Sequence, residues 1–371
     1  MTKSGLIYDA IVPEKRDSEI PEFLDRCTAC GACAGVCSFL KTTGTPDRII
    51  LQEDQGAFLC TSCGACDSIC PEGLSPRHAL MQGKARLIAT GRISRAVDRA
   101  VRSSLRFAEW GRTVPFSYYP SADTVFWPGC LLAGARPDIV KKAAGVLSLQ
   151  FKTRVGVALD CCFDPAYQVG DLSSVQDASR KIGENLRKHG ITRVVTGCAN
   201  CLKIFSRYLP DIRAEHIIEV LPERSLRALP DKEYYLHHPC PSYEFNSIQG
   251  RVKQHLAEQV ISLTEPSHAI CCGLGGGMDV LSKEKADTFT QEVISASRDL
   301  PIITYCMGCK EHFLKKGKRA YHILEFLTDA RPAEQAMSSY KKWTNRFLLS
   351  LHLRMKAIFH FLLKRRASGM K

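Results

Sequence analysis

Eighteen of the 371 residues are cysteine, and they fall into runs and pairs whose spacings repeat. CTACGACAGVC places Cys27, Cys30, Cys33 and Cys37 in the pattern CxxCxxCxxxC, and CTSCGACDSICP repeats it with Cys60, Cys63, Cys66 and Cys70. The other ten make two sets of five, Cys130, Cys161, Cys162, Cys198 and Cys201, then Cys240, Cys271, Cys272, Cys306 and Cys309. Thirty residues precede the adjacent pair in both sets, and thirty-five or thirty-three follow it before the closing CxxC. Thiolates repeated at short gaps are soft metal ligands, whereas a disulfide scaffold requires no such repetition. The opening MTKSGLIYDAIVPEKRDSEI lacks the apolar segment of a secretory signal, so an oxidising compartment has no support and metal binding is the expected chemistry.

Each four-cysteine run has the spacing of a bacterial ferredoxin, in which three thiolates hold one cubane and the fourth reaches the other cluster. One [4Fe-4S] cubane is therefore expected on Cys27, Cys30, Cys33 and Cys70, and a second on Cys60, Cys63, Cys66 and Cys37. Small residues at 29, 31, 32, 34, 64 and 65 let backbone amides approach the sulfurs. Zinc needs four tetrahedral ligands and no such run. Ser38 stands where the pattern prefers proline, which removes a turn constraint and no ligand.

Neighbouring side chains on an extended strand face opposite ways, so Cys161-Cys162 and Cys271-Cys272 can serve one centre only from irregular turns. Gly273, Gly275, Gly276 and Gly277 give the second pair that freedom. WPGC (127 to 130), DCC (160 to 162), GCANC (197 to 201), HHPC (237 to 240), CCGLGGG (271 to 277) and YCMGC (305 to 309) resemble the cysteine-rich CCG domains of the heterodisulfide reductase group. The block order is similar to that of the D subunit of its membrane-bound form. The resemblance covers roughly residues 20 to 330 and implies a non-cubane [4Fe-4S] cluster on each five-cysteine set, with a disulfide split between them. The ten cysteines would then be catalytic as well as metal-binding. Phe163 departs from the family's glycine, which bears on the shape of the first pocket, and zinc in one set remains an alternative. His237 and His238 are positioned to protonate released thiolates, or simply to hydrogen-bond backbone at a strand end.

The elements that must position these residues are legible from an internal repeat. Beyond sulfur, His216-Ile-x-Glu219-x-Leu221 recurs as His322-Ile-x-Glu325-x-Leu327, which assigns those histidines a structural role. Short β-type runs (TVFW, VGVAL, RVVT, YYLH, PIITY) precede cysteines, and helical stretches such as ASRKIGENLRKHG follow. The expected class is α/β, an α+β ferredoxin-like dicluster domain followed by two repeated α/β cysteine-rich domains, with cysteines converging where strands end. The expected bounds are 20–80 for the dicluster domain, 81–121 for a linker helix region, 122–225 and 233–330 for the two copies, and 340–366 for a basic amphipathic C-terminal helix. MQGKARLIATGRISRAVDRAVRSSLRFAEWGR reads as one connecting helix with Arg95, Arg99, Arg102 and Arg106 on a solvated face.

Net charge is +13, yet residues 1 to 80 carry seven Lys/Arg against eleven Asp/Glu, so the basic excess lies beyond them. No nucleic-acid motif accompanies it. From Lys341 to Lys371 there are nine Lys/Arg and no acid, with Trp343, Phe347, Leu351, Met355, Ile358 and Leu362 on one expected face and Lys342, Arg346, Lys356 and Lys364 on the other. No uncharged run reaches the roughly 20 residues needed to cross a bilayer, so a membrane-surface helix or a dock for a membrane subunit is expected. GLGGG is too short for a dinucleotide fingerprint, so flavin and nicotinamide are expected on another subunit. The sequence thus predicts a cytoplasmic oxidoreductase subunit, peripheral on the inner face of the cell membrane. It would take electrons from a membrane cytochrome b, a quinone-linked subunit or a flavoprotein and act on a small-molecule disulfide or thiol. The alternative is an electron relay without its own substrate, resembling the iron-sulfur subunits of glycerol-3-phosphate, glycolate or lactate dehydrogenase systems that feed quinones.

Overall fold

The structure, a computed structural model, describes residues 20–113, 123–222 and 229–367. Residues 114–121 of the expected linker, and 122 and 223–225 of the expected first copy, lie outside the described residues, as do the side chains of Leu362 and Lys364.

Two four-stranded, all-parallel sheets carry the repeat. The first comprises β1 (Thr124–Trp127), β2 (Gly156–Val157), β3 (Arg193–Thr196) and β4 (Arg213–His216), ordered β2-β1-β3-β4. The second comprises β5 (Glu233–His237), β6 (Ser262–Thr264), β7 (Ile302–Thr304) and β8 (Ala320–His322), in the matching order β6-β5-β7-β8. Their central strands are buried apolar runs, as sheets covered on both faces require. Strands β4 and β8 end in the repeated histidines. Each imidazole accepts from the second amide of the following turn, and Glu219 or Glu325 accepts from the histidine's own amide, closing a capping box.

One apolar core joins the copies, containing Phe126, Val195 and Ile217 from the first and Tyr234, Ile303 and Ile323 from the second. The dicluster segment packs on the second copy through Phe39, Leu80 and Phe289. Buried Lys84 donates to Cys60 O at 2.7 Å and Gln168 O at 3.0 Å, tying it to the first. Glu244 accepts from Arg77 of the dicluster segment and, at 3.0 Å, from Arg207 of the first copy, so one carboxylate joins all three parts. Burial alone would raise the Glu244 pKa, but Arg77, Arg207 and Lys203 outweigh it and hold the carboxylate below its usual range. Its stabilisation is therefore complete above the ordinary carboxylate pKa of about 4.3 and is lost as pH falls through the lower folded value. Glu244→Gln should cost about 3 kcal/mol near neutrality. In urea melts the gap between wild type and variant should close as the medium is acidified below that range.

The stretch expected as one connecting helix is two, Pro76–Ala89 and Arg95–Thr113. Gly91 at φ 66° turns the chain, and the Ser94 hydroxyl accepts from Val97 N to start the second helix. Arg95, Arg99, Arg102 and Arg106 are exposed.

Candidate functional site

Parallel strands deliver the ten repeat cysteines to one side of the sheets. Cys130 follows β1 through Pro128-Gly129, Cys161-Cys162 follow β2, and Cys198 follows β3 as the N-cap of the helix Ala199–Tyr208, whose first turn carries Cys201. Cys240, Cys271-Cys272, Cys306 and Cys309 occupy the same places after β5, β6 and β7. Within each set the sulfurs contact one another in the same order. The first runs Cys130, Cys161, Cys162, Cys201, Cys198. The second runs Cys240, Cys271, Cys272, Cys309, Cys306, with 3.3 Å between the Cys309 and Cys272 sulfurs.

The residue after each vicinal pair is left-handed, Phe163 at φ 68° and Gly273 at φ 83°. The missing glycine of the first copy therefore changes no backbone shape. Phe163 is buried against its cysteines and bears the strain of that conformation, on the order of 1–2 kcal/mol. At Gly273 a Cβ would stand 2.3 Å from Ala286 O and 2.7 Å from the Thr290 hydroxyl. Gly273→Ala should unseat Cys271-Cys272 and lower metal content, whereas Phe163→Gly should retain it. Metal analysis of the two variants side by side checks this.

All ten cysteines open on one cavity of about 430 Å³ between the copies. Its other walls include Gln168, Lys315, Trp343 and Arg346, together with the Lys342–Glu311 pair at 2.6 Å and His312, whose Nε2 lies 2.9 Å from the Thr290 hydroxyl. Arg346 is 2% exposed and donates from Nη2 to Gly111 O at 2.9 Å and Leu159 O at 2.8 Å. Its charge favours the Cys130 thiolate, against hydrogen bonding to Cys161 and burial, which together push that thiol up. Gly111 lies against the same set, since a Cβ there would meet Cys161 Cβ at 2.6 Å.

The tail thus departs from its expected face. The helix Ser339–Ala367 packs through Arg346, Leu349, Ser350 and Leu353, with Trp343 edge-on to Phe107 and Trp110 at 5.7 and 6.0 Å. Phe347, Leu351, Met355 and Ile358 are exposed. A stripe stepping by four drifts about 40° per step on a 3.6-residue helix, so one begun at Trp343, at the margin of the packed face, is already off it at Phe347 and turns further away by Met355.

The ferredoxin-type cysteines gather in two groups. Cys27, Cys30, Cys33 and Cys70 line one concavity, and Cys37, Cys60, Cys63 and Cys66 line another. Cys30 is exposed, while the second group adjoins Cys271, to which the Thr61 hydroxyl is hydrogen-bonded. Burial pushes the Cys33 thiol up to about 11 and Cys37 up to about 12. Cys162 is instead drawn down to about 7 by hydrogen bonds from Cys161 and Cys201. Converging buried sulfurs with so few compensating cations fit positively charged iron, which stabilises thiolates that burial otherwise disfavours.

The histidines beside Cys240 part company. His238 is fixed between the Tyr305 hydroxyl at 2.8 Å and Glu265 at 2.9 Å, both side chains rather than the backbone partners expected. His237 is fully buried with neither ring nitrogen hydrogen-bonded, and burial holds its pKa down to about 3. Arg346, Gly111, Thr61 and His312 were invisible as site residues in the sequence, because each reaches the cysteines only through tertiary packing.

Comparison with known proteins follows the same division. Residues 22–74 match the 4Fe-4S dicluster domain, and residues 124–206 and 234–313 each match the cysteine-rich domain. These domains point to iron–sulfur clusters. The chain is 26% identical over 321 residues to the B subunit of a fumarate reductase (CoM/CoB) from Methanothermobacter marburgensis. That alignment covers 81% of this chain and spans only 58% of that relative's length. A crystal structure of a hypothetical protein from Helicobacter pylori aligns with a TM-score of 0.47 and 10% identity, over 84% of this chain and 68% of that one.

Proposed function

From the premise that this chain joins a 4Fe-4S dicluster domain to two cysteine-rich domains, we propose that it is the iron–sulfur subunit of an oxidoreductase complex that reduces a disulfide. The observation that carries this reading is the shared cavity, onto which all ten repeat cysteines open. Splitting a disulfide between two centres needs both sets to face one space, an arrangement that a pure relay does not require.

Cys27, Cys30, Cys33 and Cys70 would hold one cubane, and Cys60, Cys63, Cys66 and Cys37 the other. Each five-cysteine set would hold a non-cubane four-iron cluster. Such clusters, when bound, supply single electrons and soft iron that can hold a thiolate. The overall change balances as one disulfide, two electrons and two protons giving two thiols. Exposed Cys30 marks the donor side, and the contact from Thr61 to Cys271 leads from the second cubane site to the cavity. Since His238 is engaged and His237 sealed, protons would arrive from the His312 and Lys315 wall.

The named relative is one subunit of its reductase, which supports a separate electron donor, a membrane cytochrome b, a quinone-linked subunit or a flavoprotein. No helix among the described residues is long and apolar enough to cross a membrane. The exposed Phe347, Leu351, Met355 and Ile358, beside the basic Arg354 and Lys356, would instead rest on an anionic surface. Flotation with phosphatidylglycerol vesicles should carry wild type and lose a Phe347→Ser, Met355→Ser double variant.

The functional test is paramagnetic resonance of oxidised protein with and without thiol. A signal that appears or shifts on thiol addition is expected. No thiol-dependent signal in the oxidised protein, with cubane signals appearing only on reduction, would return the chain to a relay.

A further inference from the structure

We propose that the two five-cysteine sites are chemically unequal, because the imidazole of His237 is an additional ligand of the second, alongside Cys272 and Cys309, whereas the first has thiolates alone. This rests on the reading that the second set holds iron.

His237 closes β5, three residues before Cys240, with its ring 1% exposed. Neither nitrogen has a hydrogen-bond partner, which a native interior tolerates poorly for so polar a group. His238, His255 and His312 all have partners, and His216 and His322 cap helices. A ring nitrogen of His237 and the sulfurs of Cys272 and Cys309 lie within 4.8 Å of one another, all three buried. That is a three-ligand N/S constellation able to close on one metal ion with small adjustments, and nitrogen with thiolate is an ordinary ligand mixture for iron. Phe313 holds the ring edge-on at 5.0 Å, so its orientation is set before any metal binds.

The first copy shows what the position does without a ligand. The residue three before Cys130 is Trp127, also at a strand end and fully buried, packed edge-on at 5.0 Å against Phe205. Phe205 and Phe313 each follow the last cysteine of their set by four residues, so the repeat conserves the aromatic clamp and exchanges only the clamped ring. An indole has an N–H and no lone pair to give a metal. Its Nε1 is likewise without a partner, which leaves it a donor toward sulfur at most. Imidazole thus adds a ligand to the second site at the position where the first carries only a non-ligating indole, and the two sites differ in ligand set.

The test uses anaerobically purified whole protein from cells grown with 15N-histidine, counted for iron and studied by pulsed paramagnetic resonance. A strong histidine nitrogen coupling, of the size of iron-bound imidazole, is expected in wild type and should vanish in His237→Gln. Trp127→His should add a second nitrogen-coupled signal from the first site, and this arm decides if His237→Gln fails to accumulate. Protein with about 16 irons and no histidine coupling overturns the proposal while leaving the cluster reading intact, and so does coupling that persists in His237→Gln. About 8 irons overturns both.

Discussion

Cys271→Ala should abolish disulfide reduction and one non-cubane signal while both cubanes remain reducible. Cys271 sits at the junction of the proposed route, in sulfur contact with Cys240 and Cys272 and hydrogen-bonded to Thr61 beside the second cubane group. Removing its sulfur breaks the ligand set and the link from the dicluster segment together. The fold should persist, because a void left by one buried sulfur costs about 1 kcal/mol against two sheets and a shared core. Iron should fall by about four per chain, and low-temperature spectra of dithionite-reduced protein should retain the cubane signals. Unchanged oxidised spectra would remove Cys271 from the proposed ligands.

Arg346→Met should lower the reduction potential of the first five-cysteine site and leave the second unmoved. The guanidinium is a buried cation acting on Cys130, held by the carbonyls of Gly111 and Leu159. Even at about 8 Å, with an effective dielectric constant of about 20, a unit charge is worth on the order of 2 kcal/mol. For one electron that is roughly 100 mV. The methionine keeps most of the bulk, so a potentiometric titration monitored by paramagnetic resonance reads the charge. A shift in both sites, or in neither, would contradict the placement.

Chemistry written in short spacings was legible before the fold, because covalent distance alone confines CxxCxxC. The repeat was legible for a related reason: cysteines recurring after β-type runs mark loops at strand ends, and five of the eight strands coincide with those runs. Strands β4, β6 and β8 are not legible in this way, since RAEH, SLT and AYH are short and carry little β signal. Recurrence marks His216 and His322 as structural, and the capping boxes supply the reason. What stayed hidden depends on packing between distant segments. Arg346 looks like a surface charge until its helix is laid on Cys130–Ala135, and the Gly91 break matters only once the next helix must bring Gly111 to Cys161. Phe163 shows the limit of reasoning by residue type, since a phenylalanine adopts the turn that glycine serves in the other copy.

The measurement that tests the central claim most directly is an iron and acid-labile sulfide count on anaerobically purified protein. Four four-iron clusters predict about 16 irons and as many sulfides per chain. About 8, with zinc in the five-cysteine sets, would contradict the account and leave a ferredoxin module on a structural scaffold.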